Sequence, residues 1–232
     1  MKLSIIIPIY NSEKTISKVI NGLHKNINFD FEIICIDDGS KDRSIYILKR
    51  LKEKYKNIKI VILERNFGQQ NAIFAGLNFV NGENIITIDD DGQQDIKDIL
   101  KIFDLLKKYD IVFGVPKDKS LGQNLRDLFF KKVFFKNKDL KVSSFRGFKS
   151  KFIKKILKVE YKFIYISALL LKENKNIGNL IINKKKRING KSGYNLYKRI
   201  KLFINLFIYY APFKFLKKLR KKEDPYLIKK VI

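Results

Sequence analysis

The stretch at residues 31–42 reads FEIICIDDGSKD. Its first part, 31–36, is almost entirely apolar and rich in isoleucine, which predicts a short strand buried on both faces. The strand leads into two aspartates, Asp37 and Asp38, and Gly39 then permits a turn into the next segment. An apolar strand that ends in a polar turn before a helical segment is the repeating unit of an α/β sheet, so this stretch predicts that fold class.

The same pattern recurs on both sides of this stretch. Apolar runs that predict strands lie at 3–9, 31–36, 58–63, 85–88 and 111–115, and segments with helical spacing lie between them at 12–25, 42–55, 69–80 and 95–108. Continuous apolar strands that alternate with helices predict an open, mostly parallel, Rossmann-like sheet covered by helices on both faces.

The second half of the chain is less regular. It predicts helices at 123–135, 149–157 and 161–173, a strand at 177–183 and a long basic helix from about residue 194. We expect a main domain over residues 1–200 and a basic, amphipathic, partly helical extension over 201–232, in which Pro225 limits any helix.

The charge is distributed unevenly along the chain. The net charge is +27, yet residues 1–116 hold 17 Lys and Arg against 16 Asp and Glu, whereas residues 117–232 hold 33 against 7. This asymmetry predicts an anionic partner for the second half: nucleic acid, an anionic membrane surface or phosphorylated substrates. A lysine-rich genome bias could explain part of the excess, although such a bias should have raised the charge of both halves.

Several features bear on where the protein works. The single cysteine, Cys35, lies in a predicted buried strand, so neither a disulfide framework nor a cysteine metal site is expected. The chain starts without the pattern of a secretion signal, and no stretch has the roughly 18–20 apolar residues of a membrane span. A cytoplasmic location is therefore expected.

The run ITIDDDGQQD places three carboxylates and an amide after an apolar strand. Alternate residues that leave a strand point the same way, so Asp89 and Asp91 can share a ligand, with Gln93 next in that series. Hard oxygen ligands of this kind suit Mg²⁺ or Mn²⁺. A solvated turn with a helix cap would explain any one aspartate, but adjacent carboxylates repel each other unless a cation neutralises them.

Polar clusters follow three of the predicted strands, and in parallel sheets ligands bind at this edge. A carboxylate such as Asp37 or Asp38 can accept hydrogen bonds from a nucleobase or a ribose there. The turn after the first strand has no GxGxxG, and no Walker A sequence occurs, so the dinucleotide-binding and P-loop classes are disfavoured.

Five segments together resemble the family 2 glycosyltransferases of the GT-A fold: LSIIIPIYN, IDDGSKDRS, RNFGQQNAIFAGL, ITIDDDGQQD and KRINGKSGY. Within that family they are most similar to the polyprenyl-phosphate glycosyltransferases, which include the dolichol-phosphate mannose synthases and the bacterial undecaprenyl-phosphate sugar transferases. The resemblance covers roughly residues 2–214.

The resemblance implies roles for individual positions. It implies nucleotide binding by Pro8, Tyr10, Asp37, Asp38, Asp89 and Asp90; a metal site at Asp89, Asp91 and Gln93; catalytic roles for Asp91, Lys117, Arg126 and Arg146; and acceptor binding by Arg187, Ser192 and Tyr194. Asp90 lies where that branch usually has alanine, so it either contacts the ribose or is tolerated. Gly92 replaces a usual leucine.

The implied activity is an inverting, metal-dependent transfer of a sugar from a UDP-, GDP- or dTDP-sugar to a polyprenyl phosphate in bacterial cell-envelope glycan assembly. An anionic phosphate needs no general base, whereas a sugar hydroxyl does. Carboxylates are scarce between Lys117 and Tyr161, which favours the phosphate, although Glu160 could act as a base. The alternative is therefore a transferase that acts on a saccharide hydroxyl in capsule or lipopolysaccharide synthesis.

Two further alternatives concern the basic half. A nucleic-acid-binding protein is disfavoured, because the aromatic residues fall mostly on helical faces and no RNP-like or zinc motif appears. We expect instead peripheral attachment to the inner face of the cell membrane through residues 202–222, since each Lys or Arg near an anionic leaflet contributes about 1 kcal/mol. Alternatively, residues 194–216 simply pack on the domain with their lysines solvated. The oligomeric state stays open.

Overall fold

The computed structural model describes residues 2–117, 127–128, 130, 133, 141–173, 176–183, 196–211 and 213–232. Their eight strands form one sheet: β1 Leu3–Ile9, β2 Phe31–Asp37, β3 Ile58–Leu63, β4 Asn84–Thr87, β5 Ile111–Pro116, β6 Arg146–Lys149, β7 Ile177–Ile182 and β8 Ile228–Val231. The order across the sheet is β7-β5-β6-β4-β1-β2-β3-β8. Strands β6 and β8 run antiparallel to their neighbours and the other pairings are parallel.

Helices cover both faces of the sheet. The α-helices in the described part of the chain are α1 Ile16–Asn26, α2 Ser44–Lys54, α3 Gln69–Gly76, α4 Ile96–Leu105, α5 Ile153–Ile156, α6 Ile166–Glu173 and α7 Leu196–Tyr210. One core cluster joins the sheet to α1, α2 and α4, and the other joins it to α3, α6 and α7. Strand β2 serves both: Ile34 and Ile36 point into one cluster, Ile33 and Cys35 into the other. The predicted α/β fold with a mostly parallel sheet is confirmed.

The five strands predicted in the first half are present within a residue or two of their expected ends, and so is the strand near 177–183. Strand β6 was not predicted, because a four-residue strand gives too short an apolar pattern. The helices predicted in the second half at 149–157 and 161–173 are much shorter than expected. The 149–157 segment forms a 3₁₀ turn and α5, and the 161–173 segment becomes helical only at Ile166. The predicted helix at 123–135 lies largely outside the described residues.

The basic extension folds back along the domain. Helix α7 runs across the predicted boundary at residue 200, and its Leu206, Tyr209 and Tyr210 are buried in the core. A 3₁₀ segment follows at Lys214–Leu219, and β8 then pairs with the edge strand β3. The division at residue 200 stays a prediction. Among the described residues, no helix has the length and apolar character that crossing a bilayer requires.

Candidate functional site

The carboxyl ends of the parallel strands meet at one edge of the sheet, where the loops after β1, β2 and β4 carry the polar clusters. Strand β6 is antiparallel, so its first residue, Arg146, begins at this same edge, opposite Thr87 of β4. Pro8 lies buried within β1, opposite Ile36 of β2. The next residue but one, Tyr10, projects from the edge with 45% of its surface exposed. We call this edge the rim.

Asp38 holds the loop that leads into α3. Its Oδ1 accepts the backbone N–H of Phe67 at 2.7 Å, and its Oδ2 accepts that of Gly68 at 2.8 Å. Gly68 has φ 90°, a conformation that favours glycine. Burial raises the pKa of Asp38 to about 6, the two backbone hydrogen bonds oppose this, and the charge of Asp37 adds to it. Because both carboxylate oxygens already have donors, Asp38 acts first as a structural link between loops.

Asp37 differs from its neighbour in its hydrogen bonding. Its Oδ2 accepts the backbone N–H of Ser40 at 3.2 Å, whereas Oδ1 is buried and has no hydrogen-bond partner among the described residues. Burial raises the pKa of Asp37, partly offset by the hydrogen bonds from Ser40. A buried acceptor without a donor is costly unless a ligand or a water supplies one, so this oxygen is a candidate contact for a donor group.

Reciprocal hydrogen bonds join the loops after β1 and β2. Asn11 adopts φ 53°, uncommon outside glycine, and its side-chain oxygen accepts the backbone N–H of Lys41 at 2.8 Å. In return, the Ser40 hydroxyl accepts the backbone N–H of Asn11 at 3.0 Å. Gly39, with φ 72°, has no room for a side chain, because a Cβ there would lie 2.7 Å from the backbone of Arg65.

Asp90 connects the loop after β4 to the loop after β1. Its Oδ2 accepts the backbone N–H of Tyr10 at 3.1 Å and the hydroxyl of Ser12. Burial raises the pKa of Asp90 to about 6, opposed by these two hydrogen bonds and reinforced by the charges of Asp89 and Asp91. Asp90, for which the sequence left two interpretations open, thus links two loops of the site.

Asp89 and Asp91 flank this link. The oxygens of Asp89 accept the side-chain amides of Gln69 at 2.5 Å and Gln94 at 2.7 Å, and Asp91 accepts the backbone N–H of Gln93 at 3.1 Å. Sequence reasoning gave Gln69 no role. The only sequence feature that pointed to Gln69 is that it lies in the segment RNFGQQNAIFAGL, one of the five that resemble the family. In the structure it is the first residue of α3.

The donor set fits a hard divalent cation. Asp89 and Asp91 offer carboxylate oxygens and Gln93 an amide oxygen, all from one short loop. Asp90 is directed toward the β1 loop, and no group of three or more His, Cys, Asp or Glu side chains suited to a metal occurs within the described residues. A cation here would therefore take its remaining oxygens from water and from donor phosphates, as Mg²⁺ commonly does.

Arg146 is completely buried. Its Nε donates to the Thr87 hydroxyl at 3.3 Å, and its Nη1 donates to the Ser167 hydroxyl at the start of α6. Thr87 in turn donates to the carbonyl of Ser144 at 2.8 Å. In this structure the guanidinium braces β4 and β6 against α6, and the catalytic role of Arg146 stays a prediction.

Among the other predicted cations and acceptor residues, Lys117 lies within the described part of the chain. Lys117 follows β5 at the rim. Its backbone N–H donates to the carbonyl of Ile182 at 3.1 Å, and the residue is exposed. Arg126, Arg187, Ser192 and Tyr194 lie outside the described residues, so their roles stay predictions.

Known sequences resemble this chain over much of its length. The family model described as Glycosyl transferase family 2 matches residues 4–166. An undecaprenyl-phosphate 4-deoxy-4-formamido-L-arabinose transferase from Edwardsiella ictaluri is 26% identical over 88% of this chain and 66% of its own length. A protein of the same name from Photorhabdus laumondii is 39% identical over 48% of this chain and 36% of its own. The chain thus spans less than two thirds of the length of these curated relatives.

Solved structures share the fold. TarS from S. aureus, in complex with UDP-GlcNAc, superposes with a TM-score of 0.61 at 22% identity, covering 94% of this chain and 69% of that one. Glucosyl-3-phosphoglycerate synthase from Mycobacterium tuberculosis, in complex with Mn²⁺, UDP and phosphoglyceric acid, gives 0.69 at 15% identity, covering 89% and 77%. The predicted GT-A fold is confirmed, and since the family model covers well over half of the sequence, this chain belongs to glycosyl transferase family 2.

Proposed function

We propose that this chain transfers a sugar from a nucleotide-sugar donor to the phosphate of a polyprenyl phosphate in bacterial cell-envelope glycan assembly. Family membership supports glycosyl transfer. The names of relatives such as the Edwardsiella ictaluri transferase support the lipid-phosphate acceptor. Such an acceptor would bring the enzyme to the inner face of the cell membrane.

One observation carries the donor assignment: three loops are hydrogen-bonded into a single rim. Asp90 joins the β4 loop to Tyr10, and Asn11 joins the β1 loop to Ser40. Preorganised loops of this kind hold a ligand at a low entropic cost. We assign the nucleoside to this rim, with Asp37 Oδ1 as an acceptor for one of its N–H or O–H donors.

A divalent cation, Mg²⁺ or Mn²⁺, would be held by Asp89 and Asp91, with Gln93 beside them. When bound, it supplies positive charge that stabilises the departing nucleoside diphosphate. Lys117, exposed at the same rim, would add positive charge around the phosphates. The acceptor phosphate oxygen attacks the anomeric carbon while the bond from that carbon to the donor's phosphate oxygen breaks. Attack from the opposite face inverts the anomeric centre.

Two acidic residues between Lys117 and Tyr161 lie among the described residues, Asp127 and Glu160, and their contacts favour a phosphate acceptor over a hydroxyl. Asp127 is buried and accepts the backbone N–H of Val142 at 3.2 Å. Glu160 forms an ion pair with Lys222 at 3.1 Å. Asp127 is thus held inside the protein, Glu160 is paired only at the surface, and a phosphate oxygen, already anionic, needs no general base.

The test is incubation of the purified chain with labelled UDP-, GDP- and dTDP-sugars and undecaprenyl phosphate, with and without Mg²⁺ or Mn²⁺. We expect label in the organic phase with at least one donor, only when the metal is present. No labelled lipid with any donor, together with a labelled product when a saccharide acceptor replaces the lipid, would overturn the acceptor assignment.

Substitutions in the acidic run sharpen the test. Asp91→Ala is expected to abolish both transfer and metal-dependent nucleotide binding, because it removes a proposed ligand, whereas Asp90→Asn keeps an acceptor for Tyr10 and should lose only part of the activity. Asp104→Ala is the matched control, since Asp104 is an exposed aspartate on α4. Full activity in Asp91→Ala would contradict the proposed metal site.

A further inference from the structure

Helix α7 carries apolar side chains on two faces. Leu206, Tyr209 and Tyr210 are buried against the domain. On the other side, Ile200, Ile204 and Phe207 are 51%, 54% and 43% exposed. Their spacing of four and then three residues places them on one stripe of the helix, so α7 is not simply a helix with one apolar side toward the core.

The exposed stripe continues into the following segment. Phe213, Phe215 and Leu219 are 48%, 66% and 57% exposed. The rings of Phe207 and Phe213 lie 5.8 Å apart, and those of Phe213 and Phe215 also 5.8 Å. We name this surface the apolar ridge; it consists of Ile200, Ile204, Phe207, Phe213, Phe215 and Leu219. Contiguous exposed apolar side chains of this kind mark an interaction surface.

The charge around the apolar ridge indicates which kind of partner it fits. Residues 196–219 contain six Lys or Arg and no Asp or Glu. Lys201 and Lys218, within this range, are exposed. Two copies of the ridge brought face to face would place these cations against each other, which disfavours self-association. An anionic lipid surface satisfies both features, since it buries the aromatic side chains and attracts the lysines.

We propose that the apolar ridge docks the protein onto an anionic membrane surface. Contacts within the domain connect α7, the helix that carries part of the apolar ridge, to the rim. The Tyr210 hydroxyl accepts the backbone N–H of Tyr165 at 2.9 Å, just before α6, and Ile166 N–H donates to Gln70 at the start of α3. Helix α3 also carries Gln69, which contacts Asp89. This inference gives the lipid acceptor of the proposed function a docking surface, and in that respect it rests on that function.

The test is co-sedimentation of the full chain with vesicles of phosphatidylcholine alone or with added phosphatidylglycerol. Neither donor nor acceptor is needed, so failure here is distinguishable from failure of the transfer assay. We expect binding only with phosphatidylglycerol. The double variant Phe207→Ser/Phe215→Ser should bind at least roughly tenfold more weakly, because each phenylalanine loses apolar burial. Lys201→Glu/Lys218→Glu should weaken binding by at least roughly tenfold at low salt.

The matched control is Tyr46→Ser on α2, which removes another exposed aromatic residue, 60% exposed, outside the ridge. It should bind vesicles like the wild type. The absence of wild-type binding, or unchanged binding in the Phe207→Ser/Phe215→Ser variant, would overturn the proposal. A dimer in light scattering that the same substitutions dissociate would assign the ridge to a second copy instead. Unchanged nucleotide binding in each variant checks that the domain is folded.

Discussion

Two neighbouring aspartates at the end of β2 have different hydrogen-bond environments. Asp38 receives two backbone N–H donors from the loop before α3, whereas Asp37 Oδ1 has none among the described residues. The resemblance assigned both to the nucleotide. In the structure Asp38 holds a loop, whereas one oxygen of Asp37 has no hydrogen-bond donor among the described residues, and their nucleotide binding stays a prediction.

This difference predicts that the same substitution affects stability at Asp38 and ligand binding at Asp37. Asp38→Asn should lower the free energy of unfolding by about 1–3 kcal/mol, because its amide nitrogen would face a backbone N–H. Asp37→Asn can keep an oxygen for Ser40 N–H, so it should fold with little loss but bind the nucleoside diphosphate at least roughly tenfold more weakly. Urea unfolding and calorimetric titration with UDP, GDP and dTDP measure the two effects. Unchanged stability in Asp38→Asn would contradict the loop-holding role.

At the scale of the elements, the turn that leads into α1 and the start of α2 satisfy each other's backbone donors. Asp42 accepts the backbone N–H groups of Glu13 at 3.0 Å and Ser44 at 2.9 Å. Glu13 reciprocates by accepting the backbone N–H of Arg43 at 3.0 Å. Backbone N–H groups at the start of a helix have no partners inside it, so this exchange stabilises the chain where it enters both helices at the rim.

Asp42→Ala should therefore lower the free energy of unfolding by about 1–2 kcal/mol at neutral pH. Burial alone would raise the pKa of Asp42, but hydrogen bonds from Ser44 and Glu13 outweigh it and hold the pKa below its usual value. A carboxyl with a lower pKa in the folded state stabilises above its unfolded pKa, and this contribution disappears as the pH falls through the folded pKa. The wild type and the variant should thus converge in acid, below about pH 4. Denaturant unfolding across this pH range, with Asp104→Ala as the control, checks the sign; a difference that grew in acid would refute it.

At the scale of the whole molecule, residues 226–232 cover one edge of the sheet, where β8 pairs with β3. Ile232 exchanges two backbone hydrogen bonds with Ile60 of β3, at 2.9 and 2.8 Å. The Tyr226 hydroxyl accepts the Asn78 side-chain amide at 2.7 Å. Without β8, strand β3 would present unpaired backbone groups at the edge of the sheet, which is a template for association.

Deletion of residues 226–232 is expected to lower the free energy of unfolding by roughly 3 kcal/mol, because several backbone hydrogen bonds and the packing of Tyr226 are lost. The truncated chain should also self-associate through β3. Thermal unfolding and light scattering measure both effects, and Tyr226→Phe, which removes only the bond to Asn78, should show a much smaller loss. A truncated chain that is as stable as the full chain, and monomeric, would show that β8 contributes nothing to closing the sheet.

Local sequence patterns alone predicted the sheet, the position of the acidic residues at its edge, and the family. Apolar runs such as 31–36 predicted the sheet, since burial on both faces leaves a signature in the run itself. The order of strands and turns then placed Asp37, Asp38 and the run from Asp89 to Asp91 at one edge, and the order of motifs predicted the family.

Only the tertiary structure decided what depends on partners far apart in the chain. Asp90 and Tyr10 are separated by 80 positions, and no local pattern predicts their hydrogen bond. The burial of Arg146, the pairing of β8 with β3 and the exposed side of α7 likewise depend on which surfaces meet when the chain folds. Periodicity shows that a helix has apolar faces, but it cannot show which of them the core will cover.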